Sequence, residues 1–192
     1  PLAQDWQWVR QHLCALLRLT REFGAVFSRE KREQGGVDFA DLEQCALRVL
    51  RDPATGELTD IARQWQRRLR FIFVDEYQDI NPAQDAILAA LSREGSEPNR
   101  FLVGDVKQSI YRFRRANPKI FRAYEADWRR EAGAGRRIPL AENFRSREAI
   151  LAFLNPLFAA LMRPSLGGVD YPADAQLRFG APDERRHLSL AA

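Results

Sequence analysis

The sequence predicts an α/β fold in which helices flank a parallel sheet, with a helical segment before the sheet. Residues 71–74 and 101–103 are short, wholly apolar runs rich in β-forming residues, which is typical of strands buried on both faces. Each run is followed by a stretch with helical periodicity that opens at a proline, Pro82 or Pro118. This alternation of strands and helices favours a parallel sheet with right-handed crossover connections.

Helical periodicity dominates the segment before the sheet and predicts three helices there. The first spans residues 4–33 and is expected to stop at Gly35-Gly36. Asp38 is a suitable N-cap for the second helix, which is expected to run to Leu50, and the third covers residues 58–69. The broad apolar face of the first helix consists of Trp6, Val9, Leu13, Leu16, Leu17 and Leu19.

The last part of the chain is expected to contain one more strand and one more helix. Residues 138–140 have the composition of a third short strand. Ser146 is a suitable cap for a helix that reaches Leu161. Beyond Pro164 the chain is rich in Gly, Pro and Asp and has no clear period, so we expect an irregular segment there.

Composition narrows the class of protein. The net charge of +4 and the pI of about 9.4 permit a polyanionic partner without requiring one. No apolar run is long enough to cross a bilayer, and the start of the sequence has neither Met nor the pattern of a signal peptide, which predicts an internal piece of a longer chain. Cys14 and Cys45 are too few for a disulfide framework or a zinc site, so a reducing cytosol is the expected compartment.

Basic side chains are concentrated between residues 100 and 122, where the only acid is Asp105. Aromatic residues lie among these bases, a combination that suits a strand of nucleic acid better than a solvated helix face does. If the segment is extended, Tyr111 and Phe113 would lie on one side to stack on bases, and the arginines between them on the other. A surface loop with packing aromatics is the alternative. The bases are Arg100, Lys107, Arg112, Arg114, Arg115, Lys119 and Arg122.

Two adjacent carboxylates, Asp75 and Glu76, follow the first predicted strand directly. Ligands of open α/β sheets bind at the C-terminal ends of strands. Adjacent acids repel each other unless they are neutralised, and a magnesium ion that carries nucleotide phosphates neutralises them. We therefore expect Asp75 to hold the metal and Glu76 to act as general base toward the attacking water. A solvated acidic turn is the alternative, which the apolar run before the pair and Gln78-Asp79 after it make less favourable.

Two further segments carry candidate nucleotide contacts. After the second predicted strand, Gly104 allows a close backbone approach, and the amide of Gln108 can both donate and accept, as a sensor of a γ-phosphate or its water would. After the third, Arg145 offers a planar guanidinium to a transferring phosphoryl group, and Phe144 offers a face for a purine. For Phe144 and Arg145 alone, a capped helix with a solvent-facing arginine is the simpler interpretation.

Taken in order, the three segments resemble motifs II, III and IV of the UvrD-like superfamily-one helicases, over roughly residues 20–181. Within that family the chain resembles most the AddA subunits, the helicase–nuclease subunits of bacterial AddAB complexes, through Val106-Lys107, the form of motif IV and residues 169–177. The motifs are Val74-Asp75-Glu76-Tyr77-Gln78-Asp79, Gly104-Asp105-Val106-Lys107-Gln108-Ser109-Ile110-Tyr111-Arg112-Phe113-Arg114 and Leu140-Ala141-Glu142-Asn143-Phe144-Arg145-Ser146-Arg147.

The resemblance implies a role for each candidate residue. The nucleotide-side roles are magnesium binding by Asp75, base catalysis by Glu76, γ-phosphate contact and coupling to DNA by Gln108, packing near adenine by Phe144 and an arginine finger from Arg145. The implied DNA-binding residues are Tyr111, Arg112, Phe113 and Arg114. Two positions depart from the family pattern: Ile80 stands where Thr is frequent, and Arg115 replaces a Gly, which bears on the local turn.

The resemblance also implies part of a RecA-like P-loop NTPase motor core. Residues 1–68 would be the end of a 1B-like helical insertion and its return to the motor. Residues 69–139 would be the second half of the first motor domain, 1A, and residues 140–192 the start of the second, 2A. Arg145 would then approach the nucleotide from across the cleft between the two.

The implied activity is that of an ATP-dependent 3′–5′ DNA helicase or translocase in double-strand break repair and recombination, with ATP and Mg²⁺ as cofactors. Single-stranded DNA, duplex DNA ends and an AddB-like nuclease subunit would be its partners, in the bacterial cytoplasm. A solitary UvrD/Rep-type helicase and a non-catalytic nucleic-acid-binding module are the alternatives. The sequence contains neither a G-x-x-x-x-G-K-[ST] loop nor a nuclease motif, so this chain alone is expected to hydrolyse little or no ATP.

Overall fold

Helices and short strands alternate along the computed structural model, which describes residues 2–95, 97–130, 135–167 and 170–180. Tight 3-10 turns follow the strands at Tyr77–Asp79, Val106–Gln108 and Arg112–Arg114, and a π-type turn covers Tyr171–Ala175. The helices are α1 (Leu2–Glu33), α2 (Phe39–Leu50), α3 (Asp60–Arg68), α4 (Pro82–Leu91), α5 (Pro118–Arg130), α6 (Glu148–Leu161) and α7 (Pro164–Gly167). The strands are β1 (Ile72–Val74), β2 (Arg100–Leu102), β3 (Glu142–Asn143) and β4 (Arg178–Phe179).

Backbone contacts divide the chain into two compact units, which we describe separately. The first unit comprises the described residues of Pro1–Phe73 and Asn81–Phe101, and the second those of Val74–Ile80 and Leu102–Ala192. The helices of the first unit are α1 to α4, and those of the second are α5 to α7. None of the helices among the described residues is both long enough and apolar enough to cross a membrane.

The helix boundaries of the first unit follow the stop and start signals in the sequence. After α1, Gly35 has a φ of 63°, and the N–H of Gly36 donates to Lys31 O at 2.9 Å, which closes the helix with a left-handed cap. Asp38 is the N-cap of α2, and its side chain and that of Asp41 each accept the other's backbone N–H at 2.9 Å. The predicted stop and the predicted cap are therefore both confirmed.

A small apolar core joins α2, α3 and α4 in the first unit. Its buried members are Leu50, Ala62 and Ala90. Burial of such side chains stabilises the unit by about 25 cal/mol for each Å² of apolar surface removed from water. A polar contact adds to it, because Glu43 on α2 accepts hydrogen bonds from Asn81 at 2.9 Å and Gln84 at 2.8 Å, at the start of α4.

The strands β1 and β2 form a two-stranded parallel sheet. At one end, the N–H of Ile72 donates to Asn99 O at 2.8 Å, within the first unit. At the other, the N–H of Val103 donates to Val74 O at 2.8 Å and that of Tyr77 to Val103 O at 2.9 Å, within the second unit. These bonds bring the loops that follow the two strands close together.

The prediction that these strands are buried on both faces is wrong for the described residues. Alternate side chains of a strand point to opposite faces, and here Phe71, Phe73 and Phe101 are exposed, with Phe73 at 72%. Their rings pack on one another, with centroids 6.0 Å apart for Phe71 and Phe73 and 5.8 Å for Phe73 and Phe101. Ile72 and Leu102, on the other face, are only partly buried.

In the second unit, α5 packs on the turn after β1. Tyr77 is completely buried, and its ring centroid lies 5.7 Å from that of Phe121 and 6.1 Å from that of Tyr124. The N–H of Asn117, just before α5, donates to Ile80 O at 2.8 Å. The turn after β1 is therefore held in place by both backbone bonds and aromatic packing.

Three predictions for the last part of the chain are wrong. The third strand is β3, not residues 138–140, because backbone partners occur only further along: β3 pairs with β4 in parallel, with Glu142 opposite Arg178. Beyond Pro164 the chain is accordingly not irregular, since α7, the π-type turn and β4 lie there. Ser146 is not the cap of α6, whose N-cap is Arg147 without a side-chain bond; the N–H of Ser146 instead donates to Asn143 Oδ1.

Candidate functional site

The two predicted catalytic acids lie on an exposed turn directly after β1. Asp75 Oδ1 accepts the backbone N–H of Glu76 at 2.9 Å, which orients the first carboxylate. Glu76 itself has a φ of 54° and a ψ of 40°, a left-handed conformation that costs a non-glycine residue about 1–2 kcal/mol. Strain of this kind persists only where surrounding contacts impose it, and it is frequent at functional sites.

The contact that holds Glu76 comes from Gln78, whose side chain is 1% exposed. Gln78 Nε2 donates to Glu76 Oε2 at 2.6 Å, and Gln78 Oε1 accepts the backbone N–H of Asp105 at 2.8 Å. A buried amide that makes both of these bonds has a single favourable orientation. The turn after β1 and the loop after β2 are therefore joined through one side chain.

Gly104 is required for this arrangement. A Cβ atom at Gly104 would lie 2.7 Å from Gln78 Oε1, 2.9 Å from the ring of Phe121 and 3.1 Å from Tyr77 N. The first two distances are shorter than real Cβ contacts, so any other residue would push the buried amide or the ring aside. The close backbone approach predicted for Gly104 is thus confirmed.

Asp105 organises the side chains that follow β2. Its Oδ1 accepts from Lys107 Nζ at 2.8 Å and its Oδ2 from Gln108 Nε2 at 3.0 Å. Burial raises the pKa of the Asp105 carboxyl, but the hydrogen bonds from Lys107 and Gln108 outweigh it, and the pKa lies below its usual value. Asp105 is consequently ionised at neutral pH and holds Gln108, the predicted phosphate sensor, by a charge-assisted bond.

Residues 111–115, which we call the basic–aromatic arm, are not extended, contrary to the prediction. Residues Arg112–Arg114 form a 3-10 turn and Arg115 follows with a φ of 68°. The turn brings Tyr111 and Phe113 to the same side, with ring centroids 6.0 Å apart, and Arg114 lies 5.6 Å from each ring. Phe113 is 77% exposed, so the arm presents an aromatic surface with a cationic group beside it.

Phe144 and Arg145 lie between β3 and α6. The side chain of Asn143 accepts the backbone N–H of Arg145 at 2.9 Å, which fixes the turn. The ring of Phe144 covers Gly180, where a Cβ atom would lie 2.6 Å from the ring. Arg145 is exposed, and over the described ranges its side chain makes no hydrogen bond or ion pair.

The structure therefore connects some predicted site residues and not others. Glu76 and Gln108 are joined through Gln78 and Asp105, and the basic–aromatic arm follows Gln108 after only two residues. In the part of the chain that the structure describes, no hydrogen bond or ion pair links Arg145 to these residues. The roles assigned to Phe144 and Arg145 stay predictions.

Sequence reasoning missed the structural importance of Gln78 and Asp105. Gln78 was noted only as a polar neighbour of the acids, and Asp105 only as an isolated acid among bases. A signal was present in both cases. A glutamine that follows an acid pair at a strand end, and an acid two residues before a lysine, both have partners within reach.

The acid pair suits a magnesium ion that carries phosphates. Among residues 2–95, 97–130, 135–167 and 170–180, no group of three or more His, Cys, Asp or Glu side chains could hold a metal ion. Mg²⁺ in nucleotide enzymes uses one or two carboxylates and completes its shell with water and phosphate oxygens. Asp75, which is exposed and held by the Glu76 N–H through only one oxygen, has a second oxygen available for such a metal.

Comparison with known families identifies the class of protein. Residues 11–129 match the family described as the UvrD/REP helicase N-terminal domain. Since this match covers more than half of the chain, the chain belongs to the UvrD/REP helicase family. The resemblance predicted from the three motifs is confirmed.

Individual relatives make the comparison more specific. The chain is 44% identical over 179 residues to a protein of Moorella thermoacetica, covering 89% of this chain and 13% of the relative. It is 43% identical over 166 residues to one of Levilactobacillus brevis (86% and 13%), and 42% identical over 183 residues to one of Bacillus cereus strain G9842 (93% and 15%). All three are named as AddA-type subunits of an ATP-dependent helicase/nuclease. The chain spans only 13–15% of the length of these relatives.

Proposed function

We propose that the protein containing this chain is an ATP-dependent DNA helicase that translocates 3′ to 5′ on single-stranded DNA, in an AddAB-type helicase–nuclease. The observation that carries the proposal is the acid pair at the end of a parallel strand, with Glu76 held in a strained conformation by Gln78. Family membership and the names of the relatives support the same activity. The chain would form part of a RecA-like motor core, with the domain limits predicted above.

In this proposal the turn after β1 handles the nucleotide. When bound, Mg²⁺ and ATP supply the phosphoryl group and the positive charge that neutralises the acids. Asp75 offers a carboxylate oxygen to the metal. Glu76 accepts a proton from the attacking water, and because Gln78 occupies Oε2, the oxygen available for that proton is Oε1.

Three further side chains contribute to nucleotide binding in the proposal. Gln108 carries a second amide N–H besides the one bonded to Asp105, and this N–H is free to contact a γ-phosphate oxygen. Phe144 packs near the adenine. Arg145, whose guanidinium is exposed, approaches the phosphates as an arginine finger from the second motor domain.

The basic–aromatic arm binds single-stranded DNA in the proposal. Tyr111 and Phe113 offer ring faces to bases, and Arg112 and Arg114 offer guanidinium groups to phosphates. Duplex DNA ends would be the substrate in double-strand break repair and recombination. An AddB-like nuclease subunit would be the protein partner, in the bacterial cytoplasm.

The proposal is tested by Glu76→Gln in the full-length protein. Loss of the general base should reduce DNA-stimulated ATP hydrolysis by at least about 100-fold, with binding of single-stranded DNA retained. Glu57→Gln, at an exposed glutamate of the loop before α3, is the matched control and should hydrolyse ATP at the wild-type rate. Undiminished ATP hydrolysis by Glu76→Gln would show that the protein is not a motor of this kind.

A further inference from the structure

Gln78 makes bonds that the proposed function does not by itself require. It is among the largest side chains that are completely buried in the described residues. Leaving a buried amide group without its hydrogen bond costs about 1–3 kcal/mol. The positions of its two partners, Glu76 Oε2 and the N–H of Asp105, are therefore tied to that of Gln78 and to each other.

The connection extends to the loop that carries Gln108. The backbone of Gln78 accepts from Ser109 Oγ at 3.3 Å, and the carboxylate of Asp105 holds Gln108 at 3.0 Å. Both ends of the 3-10 turn Val106–Gln108 are thus bonded to Gln78 or to its partner. The basic–aromatic arm begins directly after this turn, so a shift of the arm moves the groups to which Gln78 is bonded.

Gly104 limits how Gln78 can respond to such a shift. A Cβ at this position would be 2.7 Å from Gln78 Oε1, so the amide lies against the backbone of Gly104 with no space between them. A displacement of Gly104 and Asp105 must therefore move the amide, and the amide must move the Glu76 carboxylate. Because close-packed interiors transmit strain rather than absorb it, the movement reaches Glu76 without a gap.

We propose that Gln78 is a positioning residue that ties the orientation of the Glu76 carboxylate to the conformation of residues 104–115, so that DNA bound at the arm sets the geometry of the hydrolytic base. The inference rests on the proposed function, since it assigns Glu76 that role. The groups are connected by hydrogen bonds and close packing alone, and Gln78 itself does not touch the nucleotide.

The test is Gln78→Met in the full-length protein, which keeps the length of the side chain and removes both bonds. DNA-stimulated kcat for ATP hydrolysis should fall at least about 10-fold, because small misplacement of a catalytic group is costly. The KM for ATP and the Kd for oligo(dT) should change less than about two-fold. Gln66→Met is the matched control, because Gln66 also donates two hydrogen bonds, to Ala90 O and Ser92 O, in the first unit. A wild-type kcat for Gln78→Met would overturn the inference.

A double-mutant cycle separates positioning from general destabilisation. If Gln78 acts through Glu76, then Gln78→Met should reduce kcat no further in a Glu76→Gln background. Additive losses would overturn the inference. Should Gln78→Met fail to fold, Gly104→Ala displaces the same amide and is expected to show the same non-additivity.

The cycle also distinguishes failure of this inference from failure of the proposed function. If Glu76→Gln hydrolyses ATP normally, the proposed function and the role of Gln78 fail together. If Glu76→Gln is inactive while both Gln78→Met and Gly104→Ala retain wild-type kcat, the motor remains and only the role of Gln78 is wrong.

Discussion

Two residues with unusual backbone conformations mark the segments to which function is assigned. Glu76 and Arg115 are the non-glycine residues with positive φ in the described part of the chain, at 54° and 68°. Gln78 holds the strained Glu76 by a hydrogen bond to its side chain. For Arg115, the bond that closes the turn comes from its backbone N–H to Arg112 O at 3.0 Å, and the side chain has no part in it. The left-handed conformation there is a property of the turn, which a glycine adopts more readily.

Replacement of Arg115 should therefore stabilise the basic–aromatic arm locally. Arg115→Gly removes a steric cost of about 1–2 kcal/mol, which partly offsets the greater entropy loss of glycine. Amide hydrogen exchange of residues 112–117 should become several-fold slower in the full-length protein. Arg112→Gly removes an arginine from the same turn at a residue without positive φ, and it should speed exchange instead. Equal exchange in the two variants would contradict this account of the turn.

The exposed ring of Phe113 should contribute directly to DNA binding. Stacking of a base on an aromatic ring contributes about 1–3 kcal/mol, so Phe113→Ala should raise the Kd for oligo(dT) by roughly 5- to 150-fold. Because the side chain is 77% exposed, the variant should fold normally. Fluorescence anisotropy measures the Kd, with Phe39→Ala, at an 86% exposed phenylalanine of α2, as the control. Unchanged affinity in Phe113→Ala would exclude stacking by this ring.

Among the secondary-structure elements, the junction of α1 and α2 depends on one lysine. Lys31 Nζ lies 2.9 Å from Asp38 Oδ2 and 2.6 Å from Asp41 Oδ2. The hydrogen bond from Lys31 is the largest influence that holds the pKa of each carboxyl below its usual value of 3.8. The lysine thus reinforces the capping box, and it ties the last turn of α1 to the first turn of α2.

This junction should lose its extra stability in acid. Lowered carboxyl pKa values mean that the stabilising contribution is present above the usual value of 3.8 and disappears as the pH falls through the lowered values. Lys31→Met should therefore speed hydrogen exchange of residues 38–42 relative to wild type at about pH 7, and the two proteins should converge below about pH 3. Arg29→Met, which removes an exposed basic residue from the same turn, is the control. A difference that persists in acid would show that the carboxylates are not the partners that matter.

At the scale of the whole molecule, the chain holds only part of what a motor needs. It contains the acid pair, the segment with Gln108 and the basic–aromatic arm, but its sequence has no G-x-x-x-x-G-K-[ST] loop to bind the phosphates of ATP. It also spans only 13–15% of the relatives to which it is similar. Large apolar side chains such as Trp8, Phe73 and Leu140 are more than 70% exposed, which is unfavourable for a chain in water.

The 192-residue chain, purified alone, should therefore hydrolyse ATP at a rate close to background with or without DNA. The full-length protein under the same conditions should show DNA-stimulated hydrolysis. A coupled-enzyme assay measures both rates, and addition of EDTA to the full-length protein should abolish its activity because the acids then lack their metal. Robust DNA-stimulated hydrolysis by the isolated chain would contradict the requirement for a separate phosphate loop.

The sequence by itself determined those features that depend on neighbouring residues. Helix limits set by Gly35, Asp38 and Pro82 and the position of the acid pair after β1 all follow from local propensity and short-range hydrogen bonds, which act within a few residues. The three motifs also identified the family, because their order and residue types are visible without coordinates.

Only the tertiary structure decided which distant groups meet. Gln78 accepts from the backbone of Asp105, 27 residues away, and no pattern in the sequence specifies that bond. Likewise, β3 begins at Glu142 because β4 supplies its backbone partner, and the basic–aromatic arm curls because Arg115 adopts a left-handed conformation. Such contacts depend on how the chain returns to itself, and their free energies are gained only when the partner is already in place.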